Sequence, residues 1–171
     1  MALHKLQKRI CKEESMKIQW KPLMISIAIS LGTGFLSFIL APGIRKNYGR
    51  LFRPPLSPPG WVFPVVWAVL FLLMGIAAYL IYETKEKGTE KALELYVVQL
   101  FVNLLWPVLF FQWKAYLPAF LWLLLLWFLV WKLLKVFGER NLIAGILLLP
   151  YLAWLTFAAY LNLAIALHYL K

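Results

Sequence analysis

Five long apolar runs separated by short charged segments dominate the chain: residues 23–40, 61–82, 93–113, 116–137 and 142–170. Each holds its apolar character for about 18 residues or more, enough at 1.5 Å per residue to cross a hydrocarbon core of about 30 Å. The pattern predicts an all-α fold, an integral membrane bundle of five transmembrane helices. That bundle forms one domain over 23–171, behind a basic N-terminal tail at 1–22. Prolines punctuate four of the runs, at Pro64, Pro107, Pro118 and Pro150. A proline lacks the N–H that would bond the carbonyl four residues back, so Pro107 frees the carbonyl of Asn103 inside the third helix.

The longest connection, residues 41–60, reads APGIRKNYGRLFRPPLSPPG. Proline fixes φ and biases the preceding residue towards extended structure, so RPPLSPP cannot continue either flanking helix. It is expected to lie across the mouth of the bundle as a stiff strap. Two uses are open, a rigid connector and a lid that includes Tyr48, Arg53, Pro54, Pro55, Pro58 and Pro59. Pro58 and Pro59 suit the approach to the second helix, where missing N–H groups cost nothing.

Composition sharpens this picture. The chain is 63% hydrophobic with a mean hydropathy of +0.76, well above the roughly 45–50% apolar content of a soluble domain. Its formal charge of +11 comes from 18 Lys and Arg against seven acidic residues, all of them Glu. The cations sit between the apolar runs, where they set topology and meet head groups, so no nucleic-acid partner is expected. The N-terminal tail and the second and fourth connections carry twice as many of them as the opposite side. This bias predicts a cytoplasmic N-terminus with the strap outside. Cys11 is the single cysteine, which excludes an internal disulfide or a two-cysteine motif. The first apolar run is too long for a signal-peptide core and is read as a retained helix. A bacterial plasma membrane is the expected location, with a eukaryotic organelle membrane as the alternative.

The spans hold almost no ionisable groups, which argues against an ion pump or proton-coupled transporter. His168 sits near a span end and is read as interfacial rather than as a haem ligand. No metal site is expected. What the spans offer is aromatic and amide. Gln99, Asn103, Trp106 and Phe110 fall at steps of four, three and four, within an arc of roughly 60° on one helix face. Trp67 and Phe71 share a face of the second helix, as do Tyr151, Trp154, Ala158 and Asn162 on the fifth. Such stripes serve either bundle packing with interhelical hydrogen bonds or a ligand wall. Trp20, Trp61 and Trp113 lie at span ends, where an aromatic belt explains them; Trp67, Trp106 and Trp154 lie deeper. Ser26, Ser30 and Gly34 form a small-residue stripe on the first helix, for packing within the chain or for a homodimer interface.

The segments RPPLSPPGWVFPVVWAVLFLLMGIAAYL, QLFVNLLWPVLFF and LPYLAWLTFAAYLNLAI, in that order and spacing, resemble the tryptophan-rich sensory protein and translocator protein (TspO/MBR) family. The likeness runs from about Tyr48 to Ile165. It implies a five-helix bundle whose pocket opens under the first loop. Such a pocket takes tetrapyrroles such as protoporphyrin IX and haem, with sterols and synthetic aromatic compounds in some members. Carried over, Trp67, Phe71, Asn103, Trp106, Trp154 and Ala158 match pocket residues of the family. Two positions depart from its pattern: Leu56 stands where the loop commonly has Trp, and Arg53 replaces the usual Lys.

Three functions follow as expectations. The first is a membrane receptor or carrier for a flat apolar ligand of the tetrapyrrole or sterol kind, with Gln99, Phe110 and Tyr151 added to the matched residues. It needs no cofactor beyond the porphyrin or haem ligand, and its other partners are membrane lipids. The resemblance also suggests a porphyrin-degrading enzyme. No acid–base pair or nucleophile lies in the spans, so such chemistry would fall to the indoles of Trp67 and Trp154. The third is a structural or partner-binding bundle.

Overall fold

A computed structural model of the protein describes residues 18–42 and 44–170, with the backbone alone at 45 and 46. Most of the N-terminal tail, with Cys11, lies outside the described residues, as do Lys171 and the side chains of Arg45 and Lys46. Seven α-helices are described: α1 (Trp20–Leu40), α2 (Ile44–Tyr48), α3 (Val62–Thr84), α4 (Thr89–Pro107), α5 (Tyr116–Arg140), α6 (Leu142–Leu147) and α7 (Leu149–Tyr169). A π-helical segment, Val108–Gln112, continues α4. Five spans result: α1, α3, α4 with its π segment, α5, and α6 with α7.

Four departures from the sequence-based bounds have a local cause. The first span begins at Trp20 rather than residue 23, because Pro22 occupies its first turn, where an N–H would have no partner within the helix. The third begins at Thr89 rather than residue 93. Gly88, with φ of 87°, turns the chain, Glu90 meets the positive end of the helix, and Ala92 is already buried. The fourth runs on to Arg140, whose guanidinium donates to the carbonyls of Val136 (3.0 Å) and Gly88 (3.3 Å). The fifth is broken. Asn141 caps α6 by accepting from the Ala144 N–H at 2.9 Å, and the helix stops before Pro150, which opens α7 in its first turn.

In the bundle α1 packs on α3 and α4, α4 on α5, and α5 on α6 and α7, while α6 closes the ring on α3. The small-residue stripe of α1 is taken up within the chain. Ser26 Oγ donates to the Gly75 carbonyl at 2.8 Å, and Ser30 hydrogen-bonds the Tyr96 hydroxyl. Gly34 lies beneath Phe71, where an added Cβ would come within 2.5 Å of the ring. At Gly75 a Cβ would stand 2.8 Å from the Ile27 Cα, so the α1–α3 crossing depends on that glycine. The α5–α6 crossing has the same device: a Cβ on Gly145 would meet the Gly138 Cα at 2.7 Å. This crossing holds the first six residues of the last span against α5. Beyond the break, α7 packs chiefly on α5.

Candidate functional site

The site lies under the 41–60 connection, and its roof is built first by proline geometry. Pro54 is buried, and its carbonyl accepts from the Ser57 N–H at 3.2 Å and the Ser57 Oγ at 2.7 Å. The resulting tight turn puts Leu56 in the left-handed region, with φ of 68°, and leaves it 79% exposed. Side chains fasten the strap on both flanks. Tyr48 donates its hydroxyl to the Pro58 carbonyl at 2.7 Å, and Tyr160 to that of Pro55 at 3.2 Å. The Phe52 N–H meets the Tyr169 hydroxyl at 3.3 Å, while the Phe52 ring stacks on His168 at 4.0 Å and 8°. The Arg53 guanidinium stands 5.9 Å from the Tyr48 ring. Burial raises the Tyr48 phenol above its ordinary value, and the charge of Arg53 offsets part of this.

One wall comes from the π segment. Because Pro107 has no N–H, the helix widens into a π turn rather than continuing as α. Adjacent residues Phe110 and Phe111 are consequently both buried, their rings 4.8 Å apart and edge to face. Trp106 stacks on Phe110 at 5.2 Å and 22°. The Asn47 amide donates to the Phe111 carbonyl at 2.8 Å, tying α2 to this wall. From α7, Ala158, Leu161, Asn162 and Ile165 face the same space, and Phe63 reaches it from the first turn of α3. With its amide oriented to satisfy its neighbours, Asn162 accepts from the Trp106 indole N–H at 3.2 Å and donates to the Tyr116 carbonyl at 2.9 Å. The cavity left among these groups is about 40 Å³, against the several hundred needed by a drug-sized ligand. The aromatic side chains fill their own site, so a flat guest must part them.

The residues singled out from sequence therefore separate into three places. Trp106, Phe110 and Ala158 line the enclosed site, together with Tyr48 and Arg53 of the strap. Gln99, Asn103, Tyr151, Trp67 and Phe71 form a layer elsewhere in the bundle core. There the Asn103 amide donates to the Tyr151 hydroxyl at 2.5 Å, and that hydroxyl donates to the Gln99 Oε1 at 3.3 Å. Trp67 packs edge-on against Tyr151 at 6.1 Å and lies 5.6 Å from Phe71. Trp154 lies at the edge of both groups, packed against the core cluster that holds Phe71 and Tyr151. It meets Phe63 edge to face at 5.7 Å and lines a groove of about 460 Å³ between α3 and α7, whose other walls include Val69, Pro150 and Ala153. Its indole N–H is buried and has no acceptor.

Several lining residues escaped the sequence reading. Phe63 continues the Trp67, Phe71 stripe one turn earlier, and Ile165 continues the α7 stripe, so their signals were present. Phe111 had none, because an α-helical period turns it about 100° away from Phe110. Leu51 and Phe52 sit in irregular backbone, where periodicity gives no direction.

Fold and site thus define a five-span α-helical membrane protein with an aromatic cavity beneath a proline strap. The TspO/MBR family profile matches residues 24–168, and the chain belongs to that family. It is 34% identical over 146 residues to the tryptophan-rich protein TspO of Chlorobaculum tepidum, covering 84% of this chain and 92% of the relative. It is 37% identical over 148 residues to the human translocator protein, covering 84% and 87%. To the tryptophan-rich sensory protein of Cereibacter sphaeroides it is 34% identical over 138 residues, covering 75% and 86%.

Proposed function

We propose that the protein is a membrane receptor or carrier that holds a flat, largely apolar ligand of the tetrapyrrole class in the enclosed site under the strap. The observation that carries this reading is the convergence of four aromatic rings, Phe63, Trp106, Phe110 and Phe111, beneath a roof with a guanidinium at its rim. Rings that pack edge to face and offset-stacked on one another can exchange those contacts for the faces of a guest macrocycle. Arg53 is placed to meet a propionate with a charge-assisted hydrogen bond. The names of relatives, translocator protein and sensory protein, are consistent with a carrier or receptor role. Because the cavity is smaller than its guest, binding must spread the strap and the π-segment wall.

The test is a titration of the purified protein with protoporphyrin IX, read by quenching of tryptophan fluorescence, with a sterol in parallel. Saturable quenching is expected, and Trp106→Leu should weaken it by about tenfold, the effect of removing one stacked ring at about 0.5–1.5 kcal/mol beyond its buried area. Affinity unaltered by both Trp106→Leu and Phe110→Leu would remove the site from consideration.

A further inference from the structure

The strap roofs the site with hydrogen bonds along its length, which raises the question of how a ligand reaches it. We propose that the ligand arrives sideways from the bilayer, through the groove between α3 and α7, and that Trp154 is the swinging partition between groove and site. This inference rests on the function proposed above.

Three observations carry it. First, the last span is broken before Pro150. The six-residue α6 packs on α3, whereas α7 packs chiefly on α5 and leaves a groove of about 460 Å³ with almost wholly apolar walls against α3. Val69 and Ala153 on its walls are exposed, so in a membrane the groove opens on lipid tails. Second, the groove and the enclosed site are adjacent: Phe63 lines the site, Trp154 lines the groove, and the two rings meet edge to face at 5.7 Å. One turn further along α7, the small side chain of Ala158 already faces the site.

Third, the buried indole N–H of Trp154 lacks the tether that Trp106, Trp122 and Trp127 have. Trp106 is held by Asn162, Trp122 donates to the Val102 carbonyl at 2.8 Å, and Trp127 to the Thr156 hydroxyl at 2.9 Å. The Trp154 N–H has no partner. Trp154 belongs to the span Leu142–Tyr169, with its ring against Phe63 of α3. The N–H is buried among apolar neighbours, so a guest that brings an acceptor to it satisfies a donor that is otherwise unmet. A ring with no hydrogen bond to break can turn towards the groove, and a ligand bearing a ring nitrogen or carbonyl gives its N–H a partner as it passes. Hydrocarbon tails offer no such exchange. The partition therefore favours an apolar molecule with an embedded acceptor over bulk lipid.

The experiment uses the full chain in lipid nanodiscs, with protoporphyrin IX added through the lipid and binding followed by stopped-flow quenching. Val69→Trp fills the groove at a lipid-facing position. It should slow association and dissociation alike by about tenfold, with equilibrium affinity kept within about twofold, the signature of a barrier on the path and not in the bound state. Loosening the roof with Pro54→Gly and Pro55→Gly should instead speed dissociation and weaken binding. If Val69→Trp leaves both rates as in the wild type, or if the strap variant speeds association several-fold, lateral access is wrong. A second measurement does not depend on porphyrin. Benzophenone, a flat apolar ketone, is photolysed in the same nanodiscs and its adducts are mapped. Labelling of Val69 and Ala153 several-fold above that of lipid-facing Phe35 is expected, and should be lost in Trp154→Phe. Even labelling, or labelling unchanged in that variant, would overturn the proposal. Should porphyrin not quench at all, the ligand assignment fails and the labelling alone decides the groove.

Discussion

Removing the Tyr151 hydroxyl would leave two buried amides short of a partner. Asn103 donates to that oxygen and Gln99 accepts from it, both out of reach of water. Tyr151→Phe should therefore lower bundle stability by about 1–2 kcal/mol, the cost of stranding buried polar groups between membrane helices. The measurement is the thermal unfolding midpoint in detergent, and protoporphyrin affinity should stay within about twofold. The amide and aromatic stripes were legible in the sequence as stripes; their assignment to a ligand wall or to a buried network was not. Spacing of four and three places Gln99, Asn103, Trp106 and Phe110 on one face. It does not say that the face leaves the polar core and enters the site between Asn103 and Trp106. Tyr48 offers a second test at this scale. Its phenol titrates above its ordinary value of about 10, so its bond to Pro58 is complete below that value and is lost as pH rises through the raised one. An alkaline step in ligand release is expected above pH 10, and it should be missing in Tyr48→Phe.

Among the elements, the π segment is the one whose geometry depends most visibly on one residue. Pro107→Ala restores an N–H, which favours an unbroken α-helix through Val108–Gln112. Phe111 should then rotate out of the site and Asn47 should lose its acceptor, so protoporphyrin affinity should fall by tenfold or more while helix content by circular dichroism is maintained. All four helix prolines were visible in the sequence, and each was read only as a missing hydrogen bond. Their outcomes differ by position. Pro64 and Pro118 lie in first turns, Pro107 widens a helix near the end of its span, and Pro150 marks a break. What decides among these is whether neighbouring elements can take up the freed backbone, and that information is tertiary. The strap fared better, because proline restricts its own backbone without help from neighbours. Its turn at Leu56 was still not foreseen, since φ of 68° is rare for leucine. Leu56→Asn suits that conformation better and should slow hydrogen exchange at the Ser57 N–H, which closes the turn.

For the whole molecule, the number of spans and the family were readable because apolar length and motif order are one-dimensional signals. The orientation predicted from the cation bias can be checked with the lone cysteine. In intact cells Cys11 should resist a membrane-impermeant maleimide and react only after lysis, whereas a Leu56→Cys, Cys11→Ser variant should react at once; the reverse result would invert the topology. The fastenings of the roof bear on the order in which the protein assembles. Strap residues Phe52 and Pro55 bind partners 117 and 105 positions later, on the last span. During synthesis, then, the first four spans can insert and pack while the strap has nothing to hold its outer flank. The roof closes last, after the fifth helix is in place, and until that moment a newly made chain presents its aromatic chamber open to the compartment into which the strap has been delivered.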